Sequence, residues 1–219
     1  MDTTNTDLVR GSFVITYILL ITTATITFIE AMRTKMPIVR HILNLETCIS
    51  VVAGYFYSIF VSKINDDPID WLDIVKMRYM DWCITTPMML LTLCLVLGMH
   101  TNVSVKLGVF SWIVFFNYMM LYIGYLGEIG SMDRTVACSI GFIPFHIMFL
   151  IIYYIFVKPK YVYFNYLLYF IYFSVWSCYG VVYMFSEEWK NIFMNILDFI
   201  AKCFIGIGLW GYYTKIIVL

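Results

Sequence analysis

Charge is what this chain has least of: 13% of its 219 residues are Asp, Glu, Lys or Arg, and fourteen of each sign cancel to a formal net charge of zero. Without a basic excess there is no electrostatic footing for nucleic acid. With 62% of residues hydrophobic, the chain also lacks the polar surface that a water-soluble domain of this size requires. Cysteine pairs are missing too. Cys48, Cys83, Cys94, Cys138, Cys178 and Cys203 all fall inside apolar stretches and no two form a CxxC unit, which argues against a disulfide framework or a zinc site. The three histidines, His41, His100 and His146, lack metal-ligand spacing, so no metal is expected. No connecting segment is long enough to house soluble catalysis, and none gathers a nucleophile, a base and an orienting group, so an enzyme is not expected. Met1–Arg10 is polar and puts no basic region ahead of the first apolar run, unlike a cleavable signal peptide.

What the chain does have is long apolar runs. A helix crossing the hydrocarbon core needs about 20 largely apolar residues, and seven such runs fall at roughly 11–32, 38–62, 72–98, 104–126, 132–156, 161–185 and 190–216. Charged or turn-forming residues mark every break. The expectation is an all-α bundle of seven transmembrane helices spanning 1–219 as one domain, an integral multi-pass membrane protein whose first partner is the lipid bilayer. Arg33, Lys35, Arg40, Lys106, Lys158, Lys160 and Lys215 fall at one end. Asp66, Asp67, Asp70, Asp73, Glu128, Asp133, Glu187 and Glu188 fall at the other. The positive-inside rule then puts the amino terminus outside and the carboxyl terminus in the cytoplasm. The acidic stretch Asp66 to Asp73 reads as a solvated turn.

Few ionisable groups remain at membrane depth. Glu30 lies near a span end and reaches the interface. Lys202 sits mid-span with Asp198 one helical turn before it, and positions four apart share a helix face. An ammonium at that depth is costly and marks function by default, either as half of an ion pair or as an amine that condenses with an aldehyde. In the third span Arg78, Asp81 and Thr85 are spaced three and four apart along one face. If the two faces meet, two carboxylates balance two cations. Glu46 in the second span and Asn195 in the seventh are further polar groups at depth. Asn44, Glu46 and Ser50 are expected to share a broad face, with Ser12 a weaker addition from the first span.

The string Arg78-Tyr79-Met80-Asp81-Trp82-Cys83-Ile84-Thr85-Thr86-Pro87 closely resembles the third-helix signature of microbial rhodopsins, and Leu197-Asp198-Phe199-Ile200-Ala201-Lys202 resembles their seventh-helix signature. The resemblance implies all-trans retinal bound to Lys202 as a protonated Schiff base. It implies Asp81 as counterion and proton acceptor, Asp198 as second counterion, Arg78 as the modulating cation, and Thr85 hydrogen-bonded to Asp81. Trp82, Trp176 and Tyr179 would sandwich the polyene, with Thr86, Met120 and Gly124 also in the pocket. A G-protein-coupled receptor fits less well, because no extracellular cysteine pair is available and no asparagine-proline turn follows Lys202.

Departures from the family's outward proton pumps guide the transport reading. Those pumps carry a carboxylate where this chain has Thr92, seven residues past Thr85, and a hydroxyl cannot resupply a proton near neutral pH. Lys190 stands where bacteriorhodopsin has a proton-releasing glutamate, with Glu187 and Glu188 as possible substitutes, and Gly180 replaces a proline. Glu46, Asn195 and Ser12 lie where related light-gated cation channels build their conduction path. The stretch Leu43-Asn44-Leu45-Glu46-Thr47 and the short loops look like the rhodopsins of giant algal viruses, which would place the protein in a host cell membrane. The expected function is therefore a light-gated channel for monovalent cations. A light-driven outward proton pump is the alternative and a sensory rhodopsin the third reading. Oligomers are compatible with all three.

Overall fold

A computed structural model describes residues 3–66 and 68–217. Asp67 in the acidic stretch, and the two residues at either end of the expected 1–219 domain, lie outside the described residues. The described chain is helical throughout: α1 (Thr3–Arg33), α2 (Pro37–Lys63), α3 (Trp71–Thr101), α4 (Leu107–Glu128), α5 (Arg134–Val157), α6 (Tyr163–Val182) and α7 (Glu187–Tyr213). The breaks follow local chemistry. Pro37 opens α2, where a missing N–H costs nothing. The carboxylates of Asp70 and Asp133 accept from the backbone N–H of Asp73 and Val136, capping α3 and α5. Asn102 ends α3 in the left-handed region, at φ 59°.

Six of the seven helices are long and apolar enough to cross a membrane on length and hydropathy. The exception is α6, whose tyrosines lower its hydropathy while still offering large apolar faces. It nonetheless closes the ring: α1 packs on α2 and α7, α2 on α3, α3 on α4, α4 on α5, and α6 on α3, α5 and α7. α3 lies deepest, with 61% of its most apolar stretch buried against 17% for α4. The residues that α3 carries are therefore the ones screened from lipid.

Two segments depart from α-helical winding: Tyr153–Val157 at the end of α5, and Phe199–Phe204 within α7. Both are π-helical, a winding that recurs at functional sites because it opens the i→i−4 ladder. The second contains Lys202.

The end of the bundle that carries the amino terminus is acidic, as expected, but also holds Arg10, Lys63, Lys76, Arg134 and Lys190. Most of these cations are neutralised locally. Lys63 pairs with Asp73, and Arg134 and Lys190 each pair with both Glu128 and Glu187 at 2.8–3.0 Å. Lys190, near the start of α7, is 1% exposed inside this quartet. Glu187 is thereby paired with two cations, one from α5 and one from its own helix.

Candidate functional site

The site forms where α3 and α7 face each other. Lys202 Nζ lies 2.6 Å from Asp81 Oδ2 and 3.5 Å from Asp198 Oδ2, and all three side chains are buried. Arg78, two percent exposed, sits 3.6 Å from Asp198 Oδ2. Two anions and two cations thus share one water-poor space. Opposite charges about 4 Å apart attract by roughly 4 kcal/mol at an effective dielectric near 20, and an unbalanced one would not be tolerated there.

Asp198 is the better-held carboxylate. Tyr57 donates to its Oδ2 at 2.8 Å and Tyr179 to its Oδ1 at 2.6 Å. Asp81 makes a short contact through Oδ2 only, and its buried Oδ1 has no partner among the described residues. The Thr85 hydroxyl, expected to bond the Asp81 carboxylate, donates instead to the Asp81 backbone carbonyl at 2.9 Å. That i→i−4 bond is what a helical threonine makes most easily. Thr86 does the same to Trp82 and also accepts from Asn117 Nδ2 at 2.8 Å, which ties α3 to α4.

Beyond Lys202 opens a cavity that is partly open to the surface. Trp82, Thr86, Met120, Gly124, Trp176 and Tyr179 all line it, as do Asp198 and Lys202. A Cβ on Gly124 would come within 2.8 Å of the Tyr79 hydroxyl, and one on Gly180 within 2.5 Å of the Phe142 ring. Glycine at these two places is what keeps the cavity's shape. The Trp82 and Tyr179 rings meet edge to face at 5.5 Å, so Tyr179 serves both the cavity wall and Asp198. A long apolar aldehyde fits this arrangement: apolar walls, aromatic rings, and one buried amine at the end with carboxylates beside it.

The match to known families follows this geometry. Residues 8–216 match the family described as bacteriorhodopsin-like protein. The chain belongs to that family. It is therefore a microbial rhodopsin and an integral multi-pass membrane protein, of a family that binds retinal through a lysine. The viral rhodopsin OLPVRII has a similar structure, with a TM-score of 0.90 and 46% identity across 96% of this chain and all of that one. The green-light absorbing proteorhodopsin of Gamma-proteobacterium EBAC31A08 is 29% identical over 160 residues, 63% of this chain and 61% of the relative. The match thus spans about three fifths of that curated relative's length. Xanthorhodopsin, described as a light-driven ion pump with dual chromophore, shares the fold, with a TM-score of 0.79 at 18% identity over 96% of this rhodopsin and 94% of its own chain.

The expected ion path divides in this rhodopsin. Asn195 Nδ2 donates to Ser12 Oγ at 2.9 Å, joining α7 to α1 on the amino-terminal side of Lys202. Glu46 lies on the other side of Lys202, against Gly206, where an added Cβ would meet its carboxylate at 3.0 Å. Along α7, Lys202 stands between Asn195 and Gly206, so the two polar clusters flank it. Asn44 is exposed, unlike Glu46 and Ser50, and does not share their face. Glu46 and Thr92 lie close together on α2 and α3, with no hydrogen bond accepted or donated by the Thr92 hydroxyl among the described residues. Around them Glu46 Oε1, Ser50 Oγ, Thr92 Oγ1 and the hydroxyls of Tyr172 and Tyr213 are buried without partners among the described residues.

Tyr57 and Asn191 were not singled out from the sequence. Yet Glu46, Ser50, Ala53, Tyr57 and Phe60 form a stripe at helical spacing along α2, and all are buried. That stripe is the signal that could have found Tyr57. For Asp81, removal of the counterion charge gives a direct optical expectation: in Asp81→Asn the absorption band of the retinal-loaded rhodopsin shifts to longer wavelength, and a spectrophotometer reading an unshifted band would remove Asp81 from that role.

Proposed function

We propose that this rhodopsin is a light-driven outward proton pump, in which Asp81 receives the proton of Lys202 and Glu46 resupplies it from the opposite side. The observation that carries this reading is the position of Glu46 beside Thr92. The position held by Thr92 lacks a carboxylate in the sequence, but α2 delivers one to the same neighbourhood. The apparent loss of a proton source is a change of helix.

Retinal bound to Lys202 supplies the absorption of light and an isomerisation that moves the lysine nitrogen relative to its surroundings. The chain's own residues supply the direction. Before the move the nitrogen faces Asp81 at 2.6 Å, which makes that carboxylate the nearest acceptor. Asp198 is the poorer acceptor, because it already takes hydrogen bonds from Tyr57 and Tyr179 and faces Arg78. On the amino-terminal side, Arg78, Asn191, Asn195 and Tyr57 form a hydrogen-bonded layer. On the carboxyl-terminal side, Glu46 and the unpartnered hydroxyls around it suit a proton relay. With the amino terminus outside, this order moves protons outward.

A light-gated channel for monovalent cations is the second reading, favoured by the Ser12–Asn195 bridge and by Glu46, which put polar groups on α1, α2 and α7 on both sides of Lys202. Photocurrent under voltage clamp with varied ion gradients separates the two. A current that keeps its direction against the gradient is expected. One that reverses with the electrochemical gradient would establish the channel instead.

A further inference from the structure

Arg78 is held by more than its ion pair. Its guanidinium carbon lies 5.5 Å from the centroid of the Phe13 ring, 5.2 Å from Phe60 and 5.9 Å from Tyr57. The three rings are fully buried and pack on one another at 5.3–5.9 Å. Asn191 Oδ1 and Asn195 Oδ1 accept from Nη2 at 3.1 and 2.9 Å. Asn195 is itself oriented by its bond to Ser12. The cation therefore sits in a box with two aromatic walls from α1 and α2 and an amide floor from α7.

Aromatic faces attract cations, most strongly where water is excluded, and a planar guanidinium lies well against them. Phe13 and Phe60 belong to neither signature string and touch neither the cavity nor the counterions' hydrogen bonds. We propose that the cage of Phe13, Tyr57 and Phe60, with Asn191 and Asn195, is a positioning device that pins Arg78 against the carboxylate pair and so sets how readily Asp81 takes up a proton. The optical form of this inference rests on retinal being bound at Lys202.

The charged and titratable groups that act on Arg78 are Tyr57 from α2, Asp81 from α3, Tyr179 from α6, and Asp198 and Lys202 from α7. From α1 it meets Phe13. Were the rings removed, the guanidinium would gain room to withdraw toward the amino-terminal mouth, and its support for an anionic Asp81 would weaken.

The test is a pH titration of the visible band of the retinal-loaded protein, in which protonation of Asp81 appears as a shift to longer wavelength. In Phe13→Leu/Phe60→Leu the midpoint is expected to rise by about one pH unit, a roughly tenfold gain in proton affinity, while Phe60→Tyr, which keeps the ring, stays within about 0.3 of the parent. An unmoved midpoint in the leucine double variant, or an equal rise in Phe60→Tyr, overturns the proposal. If the double variant yields no folded pigment, Phe13→Leu and Phe60→Leu alone decide, and no movement in both overturns it. If the parent itself stays colourless, the retinal reading fails separately. The cage is then read in the retinal-free protein by NMR, as ring-current displacement of the Arg78 guanidinium protons that the leucine variants reduce to the contribution of Tyr57; displacement unchanged by them overturns it.

Discussion

Lys202→Ala, reconstituted with all-trans retinal, is expected to show no visible absorption band. The reason is geometric. Lys202 is the amine at the end of the cavity, it is buried, and it stands within 2.6 Å of Asp81. Among the other lysines, Lys63 and Lys190 are bound into ion pairs at the amino-terminal end. Alanine also leaves two buried carboxylates facing one guanidinium, and breaking a buried pair typically costs about 3–5 kcal/mol. Loss of colour by misfolding is therefore separated with Lys202→Ala/Asp81→Asn, which restores charge balance. That double variant is expected to fold, by its helical circular dichroism and cooperative thermal transition, and still to be colourless. A visible band in either variant would remove Lys202 as the attachment point.

The second large effect is expected at Glu46. In Glu46→Gln the shape and burial are kept but no exchangeable acid remains beside Thr92. If Glu46 resupplies the proton, recovery of the ground-state band after a flash should slow by roughly 10²-fold or more, the usual weight of a positioned general acid. The band position should hardly move, because Glu46 is not among the groups bonded to Lys202. Added small weak acids such as azide should restore much of the rate by carrying protons in from solution in place of the missing carboxylic acid. Time-resolved absorption across a range of azide concentrations measures all three. Unchanged recovery with reduced gradient-driven current would move Glu46 to the conduction path of the channel reading. Unchanged recovery and unchanged current would make it packing.

Both variants turn on placements of different legibility. Lys202 with Asp198, and Arg78 with Asp81, were readable because each pair lies on a single helix, where spacing fixes the shared face. Their meeting across α3 and α7 was only conditional in the sequence, because each pair is already neutral on its own helix, and it is the structure that brings Lys202 to Asp81. The cavity walls were readable through the family resemblance, although of Trp82, Thr86, Met120, Gly124, Trp176 and Tyr179 only Trp82 and Thr86 lie within the two strings. Thr85 was only half readable: its position was right, but a threonine in a helix bonds most easily to its own backbone, and the nearest acceptor was the Asp81 carbonyl rather than the carboxylate. Glu46, Asn195 and Ser12 were each marked as polar at depth, yet spacing along a helix says nothing of which neighbouring helix a side chain meets. Lys190 had the same difficulty, as its partner Glu128 comes from α4, where Arg134 of α5 also meets it.

The seven hydrophobic runs, their order and the two charged signatures were set by the sequence itself, because hydropathy and helical periodicity are local properties of a chain that must satisfy its backbone within the bilayer. Only the tertiary structure decided that α2 brings Glu46 to Thr92, that Asn195 and Ser12 lie on the other side of Lys202, and that Phe13, Tyr57 and Phe60 enclose Arg78. Those depend on the rotation and depth of one helix against another, which side-chain packing across the bundle fixes and no single helix encodes.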